Sequence, residues 1–334
     1  MAEDFDESKY KTIFDPTTLV KKGLCPVTHV RGQDSNPLES HSLYYELHGS
    51  GPEKVVFIMG LNSTSFSWEP QVEYFGRSGQ HSVLVFDNRG VGNSGTPRGP
   101  YTTSGMAEDV IVLLDYIGWT EKRQVHVVGV SLGGMISMEL SSRIPDRIVS
   151  LTLTVTTAGG RPWSNLPPWK GVSYLTRLFA ISDPYKKVPL AVNMLFPESF
   201  LHAKAEGDPN NRTNREIQEQ EYYKRIAAIR VQSPIGALSQ MSAGLTHRVT
   251  PDRLREISRS IPKVLIVSGD QDNLVDPRNS KYLKENMPEA EYVVFENTGH
   301  ALHLQWPERY NKLLERVIKE VRERMEAETK ADGN

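Results

Sequence analysis

The residues best suited to covalent chemistry are in Gly129-Val130-Ser131-Leu132-Gly133, at the end of the β-branched apolar run 125–130. A serine hydroxyl is a weak nucleophile at neutral pH. It needs a general base within hydrogen-bond reach and a third group to orient that base. The G-x-S-x-G spacing suits a sharp turn from strand to helix, where the residues two before and two after the serine must be small. A serine that merely N-caps the helix after a buried strand would fit the same five residues. Two later loops hold possible partners. Ser268-Gly269-Asp270-Gln271-Asp272-Asn273-Leu274-Val275-Asp276-Pro277 supplies three aspartates, and Glu296-Asn297-Thr298-Gly299-His300-Ala301 supplies a histidine. Each follows a short apolar run, and in an open α/β sheet reacting groups gather on loops at the C-terminal ends of strands. His303 and His126 are rival histidines, the first at the start of the last helix and the second inside a strand.

The elements that must carry these loops can be read from hydrophobic periodicity. Residues 27–31 and 42–47 alternate and suit two edge strands, with 32–40 as the loop between them. Residues 54–59, 81–86, 125–130 and 148–155 are nearly continuous apolar runs, as expected of strands covered on both faces. Between them, 66–75 reads as a helix with Phe66, Trp68, Val72 and Phe75 buried. Residues 104–117 form a second helix with Met106, Val110, Leu113, Leu114 and Ile117 on one face. Strands at 263–267 and 292–295 complete the set, with a helix at 279–286 and a last helix from Pro307 to about 324. Strands and helices that alternate in this way predict an α/β fold with a mostly parallel eight-stranded sheet and helices on both faces. Residues 158–254 break the pattern. They show no clear strand, are rich in proline and aromatics, contain a charged helix at 216–231, and are too long for a connection. They are expected to be an inserted helical cap. The core is then 26–157 plus 255–325, with a partly irregular arm at 1–25 and a frayed tail at 326–334.

Composition narrows the function classes. Net charge is −2 with 39 basic and 41 acidic residues, and there is no polybasic block, so nothing favours a nucleic acid or an anionic membrane as partner. The single cysteine, Cys25, excludes an intrachain disulfide and a cysteine-based zinc cluster. No apolar run approaches the ~20 residues of a membrane span. The acidic first residues make a poor secretory signal, so a cytoplasmic location is expected. No site for a metal, nucleotide or flavin stands out, and no cofactor is expected. The expected partner is a small-molecule substrate, with the chain a monomer or homodimer.

Four blocks together resemble the alpha/beta-hydrolase superfamily, in its capped branch of esterases, lactonases and carbon–carbon hydrolases. They are Met59-Gly60-Leu61-Asn62, the turn Asp87-Asn88-Arg89-Gly90-Val91-Gly92-Asn93-Ser94, the serine turn, and the pair Gly269-Asp270-Gln271-Asp272 and Gly299-His300. The resemblance spans roughly 40–325. It implies Ser131 as nucleophile, His300 as general base and then acid, and Asp272, three residues after the loop glycine, as its orienter. It also implies an oxyanion hole from the backbone N–H groups of Leu132 and Leu61. Many relatives have His-Gly where this chain has Met59-Gly60, a change that spares a backbone donor. Asn62 could add a side-chain N–H or cap the next helix. The Asp87–Ser94 turn is expected to be architectural. Serine at the turn, rather than the aspartate of epoxide hydrolases and dehalogenases, implies acyl transfer. The leading expectation is a serine hydrolase of a small or medium apolar ester or lactone. An acyltransferase, a carbon–carbon hydrolase, a peptidase or a ligand receptor on the same fold are the alternatives. Trp163, Trp169, Met194 and Phe196 are candidate pocket residues under the cap, although such residues also build a cap's own core.

Overall fold

Apolar residues on both sides of each central strand give the sheet two buried faces. In the computed structural model, which describes residues 9–28 and 40–332, the strands are β1 (Leu19–Val27), β2 (His41–His48), β3 (Glu53–Ile58), β4 (His81–Phe86), β5 (Val125–Val130), β6 (Ile148–Thr154), β7 (Lys263–Gly269) and β8 (Glu291–Phe295). They form one sheet in the order β1-β2-β4-β3-β5-β6-β7-β8. The β1·β2 and β2·β4 pairings are antiparallel, and every pairing from β4 across to β8 is parallel. The expected mostly parallel eight-stranded sheet is therefore present.

Alternate residues feed two cores. Val56, Ile58, Leu84, Val127 and Ile266 join one. Val55, Phe57, Val85, Val128 and Val267 join the other. On the first face lie α2 (Thr103–Tyr116), α3 (Leu132–Arg143), α9 (Pro251–Ser260) and α10 (Arg278–Asn286). On the second lie α1 (Glu69–Gly76) and the long α12 (Pro307–Asp332), the latter through Tyr310, Leu314, Val317 and Ile318. Burial of about 25 cal/mol per Å² of apolar surface drives both layers together. The expected helix at 66–75 is a 3₁₀ turn, Ser65–Trp68, followed by α1, and Phe66, Trp68, Val72 and Phe75 are all buried.

Two expectations need correction, and the arm at 1–25 is regular in part. Its last residues are β1, an edge strand whose Lys21 and Lys22 leave it without the apolar alternation that marks strands. Upstream, Phe14 is buried edge-on against His48 and Phe66. The strand expected at 27–31 ends at Val27; residues 29–31, the loop residues 32–39 and arm residues 1–8 lie outside the described residues. The tail is helical, because α12 continues to Asp332; residues 333–334 are outside the described residues.

Between β6 and α9 the insertion holds α4 (Trp169–Ala180), α5 (Pro184–Leu195), α6 (Glu198–His202), α7 (Asn214–Ala228) and α8 (Pro234–Thr246). Its ends are stitched together, with Val249 N–H donating to Ala158 O at 2.8 Å and Gly160 N–H to His247 O at 3.1 Å. A separate apolar cluster of Val188, Val192, Phe196, Phe200 and Leu201 holds it.

Candidate active site

Because β5, β6, β7 and β8 are parallel neighbours, the loops after β5, β7 and β8 emerge at one edge of the sheet. Ser131 follows β5 directly with φ 55° and ψ −120°. This backbone conformation is strained for a residue with a side chain, and such strain concentrates at functional sites. The turn leaves no room for larger neighbours. A methyl on Gly133 would lie 2.0 Å from Ile58 O, and one on Gly129 2.3 Å from Ser137 Oγ. The turn is fixed from below by Ser131 N–H donating to Thr154 O at 2.9 Å and by Thr156 Oγ1 donating to Ser131 O at 2.7 Å. Ser131 is not the N-cap by side chain, since its hydroxyl makes no cap hydrogen bond to α3.

The acid and histidine loops meet. His300 Nδ1 lies 2.7 Å from Asp272 Oδ2, and both residues are buried. Asp272 Oδ1 accepts the N–H groups of Leu274 at 2.7 Å and Val275 at 3.0 Å. A carboxylate can only accept, so Nδ1 carries the hydrogen, and in the neutral ring that leaves the lone pair on Nε2. The rival aspartates have other tasks. Asp270 Oδ1 accepts Thr298 N–H at 3.0 Å, and Asp276 pairs with Arg278. The rival histidines are internal. His126 bridges Ser150 Oγ and Glu53 Oε2, at 2.8 and 2.9 Å. His303 packs on Trp68, and burial lowers its pKa to about 3. Among the described residues no direct hydrogen bond joins Ser131 Oγ to His300. Such contacts often tighten only when a ligand is bound.

The loop after β3 lies against the serine turn. A methyl on Gly60 would sit 3.1 Å from Ser131 Cβ and 3.2 Å from Val130 O. Met59 O accepts from Asn88 Nδ2 at 2.9 Å, which anchors the start of the loop. Among the described residues neither Leu61 N–H nor Leu132 N–H donates to another protein group. Leu132 opens α3, so its N–H also carries the positive end of that helix dipole. Asn62 does not cap the next helix; its Oδ1 accepts from Gln232 instead. The 87–94 turn is architectural. Buried Asp87 gathers Ser65 N–H, Ser65 Oγ and Asn93 N–H, each at 2.8 Å, and Arg89 forks onto buried Asp109 at 2.6 and 2.7 Å.

The four candidate pocket residues separate. Phe196 belongs to the apolar cluster of the inserted segment, which also takes in Ala301 beside His300. Met194 is buried near it, at the end of α5, where Leu195 O accepts Ala301 N–H at 3.2 Å. Trp163 and Trp169 are 67% and 83% exposed and so are not enclosed in a pocket. Trp169 opens α4, whose Gly171 packs against the backbone of Asn273 in the acid loop. No local pattern marks Gln232 and Gln240, whose bonds to the loop after β3 come from distant parts of the chain. Among the described residues no group of three or more histidine, cysteine or carboxylate side chains could hold a metal ion, and no helix is long and apolar enough to cross a membrane.

Comparison with known proteins agrees with this architecture. Residues 54–307 match a family model described as alpha/beta hydrolase fold. RutD of Azorhizobium caulinodans, named as a candidate carbamate hydrolase, is 28% identical over 275 residues, covering 81% of this chain and 93% of that protein. The 3-oxoadipate enol-lactonase 2 of Acinetobacter baylyi is 24% identical over 295 residues, covering 88% and 98%. A thermophilic esterase from Thermogutta terrifontis superposes with a TM-score of 0.70 at 21% identity, covering 90% of this chain and 99% of that one. At that identity the likeness speaks for the fold alone.

Proposed function

The chain belongs to the alpha/beta hydrolase fold family, and from that premise we propose that it is a serine hydrolase of small or medium apolar carboxylic esters or lactones. One observation carries the proposal. Ser131 sits in a strained turn on the sheet edge that also holds the His300–Asp272 pair at 2.7 Å. In the proposed reaction Ser131 Oγ attacks the acyl carbon while His300 Nε2 takes its proton. The carbonyl oxygen becomes an oxyanion facing the N–H groups of Leu61 and Leu132. Its collapse breaks the carbon–oxygen bond, and His300 returns the proton to the leaving alkoxide. Water then attacks the acyl-enzyme with His300 again as base, which releases the acid and restores Ser131. Asp272 holds the ring in place and stabilises the imidazolium that forms.

A carbamate is the second reading, favoured by the relatives named for it. Its carbonyl accepts the same attack, with nitrogen on the acyl side and an alkoxide leaving, or with oxygen on the acyl side and an amine leaving once His300 has protonated it. A panel of esters, lactones and carbamates of graded size, assayed on wild type and Ser131→Ala, tests both. Turnover of esters or lactones that vanishes in Ser131→Ala supports the first reading. Turnover confined to carbamates selects the second, and equal turnover by Ser131→Ala rejects both.

A further inference from the structure

We propose that Gln240, on cap helix α8, is a positioning residue for the oxyanion loop, so that the cap sets the geometry of the hole. The inference rests on the serine-hydrolase reading above. Its motive is a pair of hydrogen bonds that bridge three separate parts of the chain. Gln240 is fully buried. Its Oε1 accepts Asn62 N–H at 2.8 Å, and its Nε2 donates to Arg89 O at 2.8 Å. The partners fix which way the amide points, because an N–H must meet the oxygen and a carbonyl must meet the NH₂. One side chain from the cap thus ties the loop after β3 to the 87–94 turn.

The bond falls where the loop most needs it. Asn62 has φ 53°, a left-handed backbone uncommon for residues with a side chain, although asparagine takes it more readily than most. The peptide that Gln240 grips, Leu61–Asn62, adjoins the one that carries the Leu61 N–H. Gln232 repeats the tie from the more exposed side, donating to Asn62 Oδ1 at 2.9 Å and to Gly90 O at 3.0 Å. The helix itself has no slack, because a methyl on Gly236 would lie 2.4 Å from Gly90 O. The other end of the hole is also near α8, with Gly244 facing the Leu132 side chain. An oxyanion donor works through its fixed position relative to charge that develops in the transition state. Slackening its loop should therefore weaken transition-state binding more than substrate binding.

A trifluoromethyl ketone is the probe, since addition of Ser131 Oγ to its carbonyl leaves an oxyanion in the hole while His300 takes the proton. Gln240→Leu keeps the bulk and removes both bonds. It should weaken ketone binding and lower kcat by about 10- to 100-fold, with KM within about threefold of wild type. Gln240→Glu keeps the acceptor for Asn62 and loses the donor to Arg89. Its activity relative to wild type should recover as pH falls and the carboxyl gains a proton to donate. A merely structural role would not produce that recovery. Folded Gln240→Leu with kcat and ketone affinity within twofold of wild type overturns the proposal. If that variant does not fold, Gln232→Ala decides: a parallel loss in kcat and ketone affinity of about threefold or more supports the tie, and unchanged values overturn it. Failure of the underlying reading looks different, because wild type would then form no ketone adduct at Ser131.

Discussion

His300 Nδ1 donates to Asp272 Oδ2 at 2.7 Å, while the other oxygen of the same carboxylate is held by two backbone N–H groups. The aspartate is clamped on the side away from the histidine, so it can fix both the tautomer and the angle of the ring. Asp272→Asn keeps the shape but turns an acceptor into a donor. It should lower kcat by about 10³- to 10⁴-fold. Asp270→Asn, in the same loop but without contact to His300, should stay within a few-fold of wild type. Steady-state kinetics on the two variants separate the assignments.

The strain at Ser131 gives a prediction of opposite sign for stability. Glycine adopts φ 55° and ψ −120° far more readily than serine. Ser131→Gly should abolish turnover and raise stability by about 1 kcal/mol, or roughly 2 °C in thermal denaturation. Gly133→Ala should do the reverse, destabilising by about 2 kcal/mol or more, because the new methyl meets Ile58 O at 2.0 Å.

Arg89 and Asp109 form a buried, forked ion pair under the 87–94 turn. Removing one partner leaves the other charge without compensation. Asp109→Ala should cost about 3–5 kcal/mol in urea unfolding. Asp115→Ala, which removes the far more exposed partner of Arg147, should change stability by no more than about 1 kcal/mol.

His247, which follows α8, links the inserted segment to α2 through Thr103 Oγ1 at 2.8 Å, and burial pushes its pKa from 6.5 down to about 4. Between those values the unfolded chain binds a proton that the folded chain refuses, so stability rises with pH. The contribution is complete above about pH 6.5 and is lost as pH falls toward 4, to a total of about 3 kcal/mol. His303, which burial lowers to about 3, adds in the same direction. Unfolding measured between pH 4 and 7 should show this slope, and His247→Gln should flatten part of it.

Much of this arrangement is legible in the sequence because it rests on local rules. Alternating and continuous apolar runs locate the central strands, and glycines two residues either side of Ser131 mark a turn that tolerates nothing larger. The choice among Asp270, Asp272 and Asp276 is different: three aspartates in seven residues share one composition, so the residues alone leave it open, the family resemblance points to Asp272, and the folded loop shows Asp272 facing His300. β1 escapes notice because Lys21 and Lys22 occupy an edge strand, where charge is tolerated. Between β6 and α9, aromatic content cannot separate an outward tryptophan such as Trp169 from an inward phenylalanine such as Phe196. Gln240 is the least legible of all, since its two partners lie 178 and 151 residues away.

The most direct test is covalent. The protein is treated with a fluorophosphonate, quenched, digested and mapped by mass spectrometry. A single adduct is expected on the peptide that holds Ser131, absent from Ser131→Ala and formed far more slowly by His300→Ala. An adduct on another residue, or equal labelling of Ser131→Ala, would contradict it.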